Sequence, residues 1–162
     1  SLDALITIEN NKTKKIVKLK DFFVSYRKTK LKKKEFISSI KIPIYPKNIF
    51  KAYKISKRFD DDISSVCASF NFEIKNKKIK SVKIAFGGMS AIPKRAKYCE
   101  KTLKNKEFSN KILDKAKESL LRDFAPISDM RASKEYRIEI AKNLLTKFFA
   151  EIQNKNRIEL KN

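Results

Sequence analysis

Residues 66–86, VCASFNFEIKNKKIKSVKIAF, contain two runs in which apolar and polar side chains alternate. Alternation with a period of two is typical of a β-strand that buries one face. The polar residues 75–78 separate the two runs, so the pattern predicts an antiparallel hairpin. Residues 50–57 (FKAYKISK) alternate in the same way. They predict a third strand, with Tyr53 on one face and Lys54 on the other.

Helical patterns follow the predicted hairpin. Ser109 and Ser133 each precede such a pattern, and serine is a preferred N-terminal capping residue. In the last helix, apolar residues recur at the i, i+4 spacing of a stripe that packs against a sheet. They are Tyr136, Ile140, Leu144, Phe148 and Ile152. The sequence therefore predicts an α+β fold, in which a three-stranded antiparallel sheet packs with about three helices.

A shorter β-rich part precedes this sheet. Apolar stretches there predict three strands, at residues 3–9, 16–19 and 36–42. Pro43 and Pro46 interrupt regular pairing after the third stretch, because proline lacks the amide hydrogen and restricts the residue before it. We place a domain boundary at these prolines, which divides the chain into residues 1–47 and 48–162.

The chain of 162 residues carries a net charge of +22, which favours polyanionic partners. Only seven of its 40 basic residues are arginines, and the lysines are spread along the whole chain. Nucleic-acid readers use arginine for bidentate contacts and aromatic side chains for stacking. We therefore favour compositional drift as the source of the charge, and keep a basic nucleic-acid-binding module as an alternative.

Composition also limits the chemistry. The sequence has no histidine and only two cysteines, Cys67 and Cys99, so we expect neither histidine catalysis nor a metal site. Isolated cysteines are usually small buried residues, and we expect that of both. No apolar run approaches the ~20 residues of a membrane helix, so we expect no membrane association. We take the chain as cytoplasmic.

The densest acidic cluster is Asp60, Asp61 and Asp62, in KRFDDDISSV at residues 57–66. Adjacent residues of an extended chain point to opposite sides, so these carboxylates are poorly placed to share a proton as a catalytic pair. A solvated turn that caps the start of a strand is the simpler interpretation.

The order of several stretches adds information. RKT (27–29) and SSIKIP (38–43) precede FKAYKISKRFDDDISSV, and IAFGGMSAIPKRA (84–96) and SDMRASKEYR (128–137) follow it. This series resembles the flavoproteins of the molybdenum hydroxylase family, in particular the FAD-binding small subunit of bacterial xanthine dehydrogenases. Residues 1–47 look like the C-terminal tail of the family's FAD-binding domain. Residues 48–162 look like the C-terminal domain shared with carbon monoxide dehydrogenase flavoproteins.

The resemblance implies a redox function. In such enzymes a molybdenum cofactor hydroxylates a purine, and two [2Fe-2S] clusters pass the electrons to FAD, which reduces NAD+. The resemblance places the iron–sulfur clusters and the molybdenum cofactor elsewhere in a hetero-oligomeric complex. The partners would be a molybdenum-cofactor subunit and the upstream FAD and iron–sulfur domains. We expect the isolated chain to be inactive and to contribute no catalytic residue.

The resemblance also suggests cofactor-binding positions. Ile37 falls where an apolar residue packs against the flavin, and Lys54 falls where a lysine contacts the cofactor. Asp61 and Asp62 match paired aspartates of the family, and we expect them to orient Lys54 or Arg58. Asp60 falls at a variable position and is expected at the surface. A third interpretation is a subunit-docking domain with no direct role at the flavin.

Overall fold

The computed structural model describes residues 1–59 and 61–154. Its N-terminal part contains five strands: β1 (Leu5–Glu9), β2 (Lys14–Lys18), β3 (Phe23–Ser25), β4 (Lys28–Thr29) and β5 (Phe36–Lys41). Strands β2, β1 and β5 form one antiparallel sheet in that order, and β3 pairs with β4. Ile6, Ile8 and Phe22 form a small core beneath the sheet. The three predicted strands are confirmed, whereas the short 3-10 helix Leu19–Asp21 and the β3–β4 pair had no alternating pattern.

The second part is built on a four-stranded antiparallel sheet in chain order. Its strands are β6 (Ile49–Ile55), β7 (Val66–Lys75), β8 (Lys78–Gly87) and β9 (Lys94–Arg95). The predicted hairpin is β7–β8, and β6 pairs along β7 from Ile49 opposite Phe72 to Ile55 opposite Val66. The sequence prediction of three strands omitted β9, because a strand of two residues is too short to show alternation.

Three helices cover one face of this large sheet, and they confirm the predicted α+β fold. They are α1 (Lys97–Leu103), α2 (Asn110–Asp123) and α3 (Lys134–Asn154). The Ser133 hydroxyl accepts a hydrogen bond from the Tyr136 amide at 3.2 Å and so caps α3 as predicted. Ser109 occupies the capping position of α2, but its side chain makes no capping hydrogen bond. None of the helices in the described part of the chain is long and apolar enough to cross a membrane.

Phenylalanine side chains form the centre of the core between the sheet and α3. Phe148 stacks on Phe70 at 5.0 Å between ring centroids and contacts Phe72 at 4.6 Å. Phe149 stacks on Phe108 at 4.2 Å. Buried aromatic pairs of this kind contribute about 0.5–1.5 kcal/mol beyond the area they bury. Leu144 and Phe148 of the apolar stripe predicted for the last helix are therefore part of the core that holds α3 against β7, whereas Tyr136 is 46% exposed.

Helix α1 depends on a capping group from another helix. The residue at its capping position, Ala96, has no side chain that could accept a hydrogen bond. The buried carboxylate of Asp123, at the end of α2, accepts hydrogen bonds from the amides of Tyr98 and Cys99, each at 2.9 Å. A negative charge at this position also interacts favourably with the helix dipole. Asp123 thus fixes the start of α1 against the end of α2.

We expect Asp123→Ala to lower the free energy of unfolding by about 1–3 kcal/mol, because two amides at the buried start of α1 lose their acceptor. Urea denaturation measures the change. Asp114→Ala is the matched control, since Asp114 lies on the same helix but is exposed and, among the described residues, forms an ion pair only with Lys117. Equal losses in free energy of unfolding for the two variants would contradict the capping role of Asp123.

Candidate functional site

The face of the large sheet opposite the helices is lined by alternate residues of its strands, and we name it the outer face. From β6 to β9 it presents Phe50, Ala52, Lys54, Cys67, Ser69, Asn71, Lys83, Ala85, Gly87 and Arg95. The strand register arranges these residues in rows across the sheet. Lys54 lies opposite Cys67, and Cys67 lies opposite Gly87. We call these three residues the open row.

The N-terminal residues contact other rows of the outer face. The Ser1 hydroxyl donates to the Ser69 hydroxyl at 3.0 Å, and the Asn71 amide donates to the Ser1 carbonyl at 3.2 Å. Asp3 forms an ion pair with Lys83 and lies 3.8 Å from a guanidinium nitrogen of Arg95. These contacts leave the open row at the uncovered end of the outer face.

Lys54 is exposed on the open row. Among the described residues, no carboxylate lies within 4.0 Å of its ammonium group. Its cross-strand neighbours have small side chains or none, since Cys67 and Gly87 follow it across the sheet. Cys67 is exposed, which corrects the expectation that both cysteines are buried; Cys99 is buried, and burial raises the pKa of its thiol. The open row thus presents a cation beside small side chains.

Ile37 lies on the small sheet, apart from the strand of Lys54. It pairs with Ile8 across β1 and β5, at the point where the register shifts, and its side chain is 39% exposed. β5 is an edge strand whose residues are all exposed. The described hydrogen bonds and ion pairs join neither Ile37 nor its strand to Lys54. The two predicted positions therefore belong to different sheets.

Asp62 organises the turn between β6 and β7. One of its carboxylate oxygens accepts hydrogen bonds from the amides of Lys57 and Arg58, both at 3.1 Å. The other lies 3.9 Å from the Arg58 guanidinium. The Arg58 amide, followed by the Arg58 charge, lowers the pKa of Asp62. Of the two basic residues that it was expected to orient, Asp62 contacts Arg58.

Asp61, by contrast, is exposed and has a φ of 47°. Aspartate tolerates this left-handed conformation better than most residues, because its short side chain can bond locally. Asp60 lies outside the described residues.

Sequence reasoning did not identify Arg137, the residue with the densest polar contacts near this turn. It is only 3% exposed. One guanidinium nitrogen donates to the carbonyls of Ser65 at 2.5 Å and Gly88 at 2.7 Å, and the other donates to Asp129 at 2.6 Å. A signal was present in the sequence, since Arg137 stands four residues before Ala141 on the buried side of α3. An arginine at a core position of a helix requires internal hydrogen-bond acceptors.

Arg137 joins three stretches that are distant in sequence. Ser65 belongs to KRFDDDISSV, Gly88 to IAFGGMSAIPKRA, and Asp129 and Arg137 to SDMRASKEYR. The junction has no room for a side chain at residue 88: Gly88 has a φ of +81°, and a Cβ there would lie 2.3 Å from the Ser65 carbonyl oxygen. The glycine is thus required both by its backbone conformation and by the close approach of two chains.

The loop before α3 is fastened to the β6–β7 turn by further bonds. Within the loop, Asp129 accepts hydrogen bonds from the amides of Arg131 at 2.8 Å and Ala132 at 3.2 Å, and the Ser65 hydroxyl donates to the Arg131 carbonyl at 3.3 Å. Lys57 donates from its ammonium group to the Met130 carbonyl at 2.8 Å. A cleft of about 450 Å³ lies between the loop and the turn. The turn that follows Lys54 therefore has a fixed position relative to α3.

Comparison with known proteins agrees with this architecture. The model of the CO dehydrogenase flavoprotein C-terminal domain matches residues 51–152, and that of the FAD binding domain in molybdopterin dehydrogenase matches residues 1–45. The xanthine dehydrogenase FAD-binding subunit of Escherichia coli O157:H7 is 27% identical over 151 residues, covering 92% of this chain and 52% of the relative. The glyceraldehyde dehydrogenase medium chain of Sulfolobus acidocaldarius is 29% identical over 155 residues, which cover 94% of this chain and 54% of that relative.

Solved structures show the same fold. A CO dehydrogenase from Oligotropha carboxidovorans matches with a TM-score of 0.82 and 24% identity, covering 90% of this chain and 51% of that one. Quinoline 2-oxidoreductase from Pseudomonas putida 86 matches with a TM-score of 0.82 and 21% identity, and the match covers 93% of this chain and 52% of that one. The chain spans about half the length of these two curated relatives and of these structures.

We expect Arg137→Met to lower the free energy of unfolding by about 2–4 kcal/mol, because two buried carbonyls and the Asp129 carboxylate lose their donor. Arg137→Lys keeps the charge and one donor group, so we expect a smaller loss. Urea denaturation of both variants measures the difference. The exposed Arg122, which stacks on Tyr98, provides the control Arg122→Met. If Arg137→Met lowers the free energy of unfolding no more than the control does, Arg137 does not hold the three segments together as described.

The pH dependence of stability provides a second test. The amide of Arg131, and then the Arg137 guanidinium, hold the pKa of Asp129 below its ordinary value. A lowered folded-state pKa stabilises the fold above the unfolded value of about 3.9, and this contribution disappears as the pH falls through the folded-state pKa. Asp129→Asn should therefore be less stable than the parent at about pH 7, with a difference that shrinks below about pH 4. Urea midpoints across this range measure it, and a difference independent of pH would contradict the assignment.

Proposed function

The chain belongs to the family of CO dehydrogenase flavoprotein C-terminal domains, and we propose that it forms the C-terminal part of the FAD-binding subunit of a xanthine dehydrogenase-like molybdenum hydroxylase. The observation that carries the proposal is the open row. A flavin needs a flat surface for its ring system and a cation near the negative charge that it gains on reduction. Lys54 supplies the cation, and Cys67 and Gly87 leave the surface beside it low. These residues fit the cofactor that the family implies.

We assign the predicted positions separate roles at this cofactor. Lys54 would donate a charge-assisted hydrogen bond to the flavin, and Ile37 would supply an apolar contact from the small sheet. Asp62 holds the turn that follows Lys54, and we propose that Asp61 presents its exposed carboxylate on the cofactor side of that turn. None of the four would exchange a proton or form a covalent bond with the substrate.

The proposed division of the chain follows from the same geometry. Residues 1–47 would belong to the FAD-binding domain and residues 48–162 to the flavoprotein C-terminal domain. The contacts of Ser1 and Asp3 with the outer face support this proposal, because they hold the first part against the second beside the open row. A flavin at the open row would then lie close to the seam between the two parts.

The rest of the cofactor would be bound outside these 162 residues. The only glycines are Gly87 and Gly88, and neither belongs to a glycine-rich phosphate-binding motif. We therefore propose that another part of the complex holds the FAD diphosphate. FAD would receive electrons from [2Fe-2S] clusters and pass them to NAD+, with the molybdenum-cofactor subunit as the site of substrate oxidation.

In the assembled flavoprotein, we expect Lys54→Ala to weaken FAD binding by at least about tenfold, since a charge-assisted hydrogen bond contributes about 1.5–3 kcal/mol. Loss of the cation should also lower the flavin midpoint potential by about 30 mV or more, the two-electron equivalent of a tenfold change in equilibrium constant. Flavin fluorescence during dilution and a spectroscopic redox titration measure the two effects.

Lys51→Ala is the matched control. Lys51 lies on the same strand but faces the helices, where its ammonium group is 3.4 Å from Glu151. The Lys51→Ala variant should leave the FAD affinity and the flavin midpoint potential unchanged. If Lys54→Ala retains the parent's affinity and potential, the assignment of Lys54 is wrong. If the assembled protein carries no FAD at all, the flavoprotein proposal itself is wrong, and a docking domain would better explain the chain.

A further inference from the structure

A second charged region lies at the other end of the large sheet. The β7–β8 turn and the segment between α1 and α2 meet there through backbone hydrogen bonds. Ile79 donates to Lys106 at 2.9 Å, Asn105 donates to Ile79 at 2.8 Å, and Phe108 donates to Lys77 at 2.7 Å. These bonds hold six exposed lysines in one place, which we name the lysine tip. Its members are Lys75, Lys77, Lys78, Lys80, Lys104 and Lys106.

The lysine tip is crowded with like charge. Lys75 and Lys78 are direct cross-strand partners, and like charges in such a pair destabilise a sheet. None of the six ammonium groups lies within 4.0 Å of a carboxylate belonging to a described residue. Glu107, which pairs with Lys78 through the backbone, is the acidic residue of the connecting segment. The tip therefore keeps a strong local excess of positive charge.

Some other lysines of this chain do lie beside acids. Lys15 pairs with Glu35 at 2.8 Å, Lys51 with Glu151 at 3.4 Å, and Lys142 with Glu118 at 3.2 Å. A lysine-rich composition alone would scatter charges and leave some of them beside acids. At the tip, the fold gathers lysines from two separate segments and provides them with no ion pair among the described residues.

Backbone geometry adds an independent observation. The two central residues of the β7–β8 turn, Asn76 and Lys77, have φ values of 51° and 57°. A two-residue hairpin turn of this kind favours glycine, above all at its second position. Lysine has a Cβ and is disfavoured there. The turn thus places a charge where the backbone alone would favour glycine.

We propose that the lysine tip is a docking surface for a carboxylate-rich surface of a partner protein. Lysine ammonium groups act as point charges that match scattered carboxylates, and complementary charge steers association and fixes register. The tip contains no arginine and no exposed aromatic side chain, the groups that nucleic-acid sites use for bidentate contacts and base stacking. Lys75 lies eight positions along β7 from Cys67, or about 26 Å, so this surface is distinct from the open row.

The test uses the 162-residue chain and a fluorescent poly-glutamate peptide as the probe, at about 100 mM salt, where the Debye length is about 10 Å. The tip variant changes Lys75, Lys78, Lys104 and Lys106 to Glu. The control variant makes the same change at Lys12, Lys28, Lys30 and Lys33, which are exposed and distant in sequence. Both variants have the same net charge, so a difference between them reports position. Circular dichroism establishes that each is folded.

We expect the tip variant to bind the peptide at least about tenfold more weakly than the parent, and the control variant to bind within about threefold of it. Equal losses in the two variants would overturn the proposal, because net charge alone would then explain binding. The absence of peptide binding by the parent would also overturn it. A third outcome would also overturn the proposal: the parent binds duplex DNA more tightly than the peptide at the same salt, and the tip variant loses this DNA binding. The partner would then be a nucleic acid.

A single substitution tests the crowding without any partner. Lys75→Glu places opposite charges across the strand pair, and we expect the melting temperature to rise by about 2 °C. The same change at Lys28 should leave it nearly unchanged. If the melting temperature of Lys75→Glu falls or does not change, the lysines do not repel one another in the folded chain. This result would remove the basis of the proposal.

Discussion

The guanidinium of Arg137 is the constraint on which the end of the large sheet that carries Lys54 depends. A buried arginine must be surrounded by acceptors, and here those acceptors are the carbonyls of Ser65 and Gly88 and the carboxylate of Asp129. Each acceptor comes from a different segment, so one side chain fixes the start of β7, the end of β8 and the loop before α3. The β6–β7 turn and the strand end that carries Lys54 are held in place as a result.

The large sheet separates two environments. Its helical face is filled with phenylalanine rings and buries the stripe of α3, which makes the scaffold rigid. Apart from Phe50, its outer face has small, polar or charged side chains, and the N-terminal residues cover only part of it. A rigid sheet with one partly open face can bind a flat ligand without reorganising, which is why the proposed flavin position lies there.

The same strands place two cationic regions at opposite ends. At one end Lys54 is a single charge beside small side chains, which suits one contact to a cofactor. At the other end the β7–β8 turn and the α1–α2 segment combine lysines into a cluster too large for one small ligand. The length of β7 keeps the two regions apart, so a partner at the lysine tip would not obstruct the open row.

The sequence by itself determined the elements with strong periodicity. Alternation predicted β6, β7 and β8, the apolar stripe and Ser133 predicted α3, and the order of its motifs indicated the family. Local patterns could not predict β9, the β3–β4 pair or the exposure of Cys67, because these depend on what packs beside them. The assignments of Ile37, Lys54, Asp61 and Asp62 remain predictions. Only the tertiary structure brought Ser65, Gly88, Asp129 and Arg137 together, and gathered the lysines of two segments at the tip. Contacts between residues so far apart in sequence have no local period, so their partners become apparent only when the chain is folded.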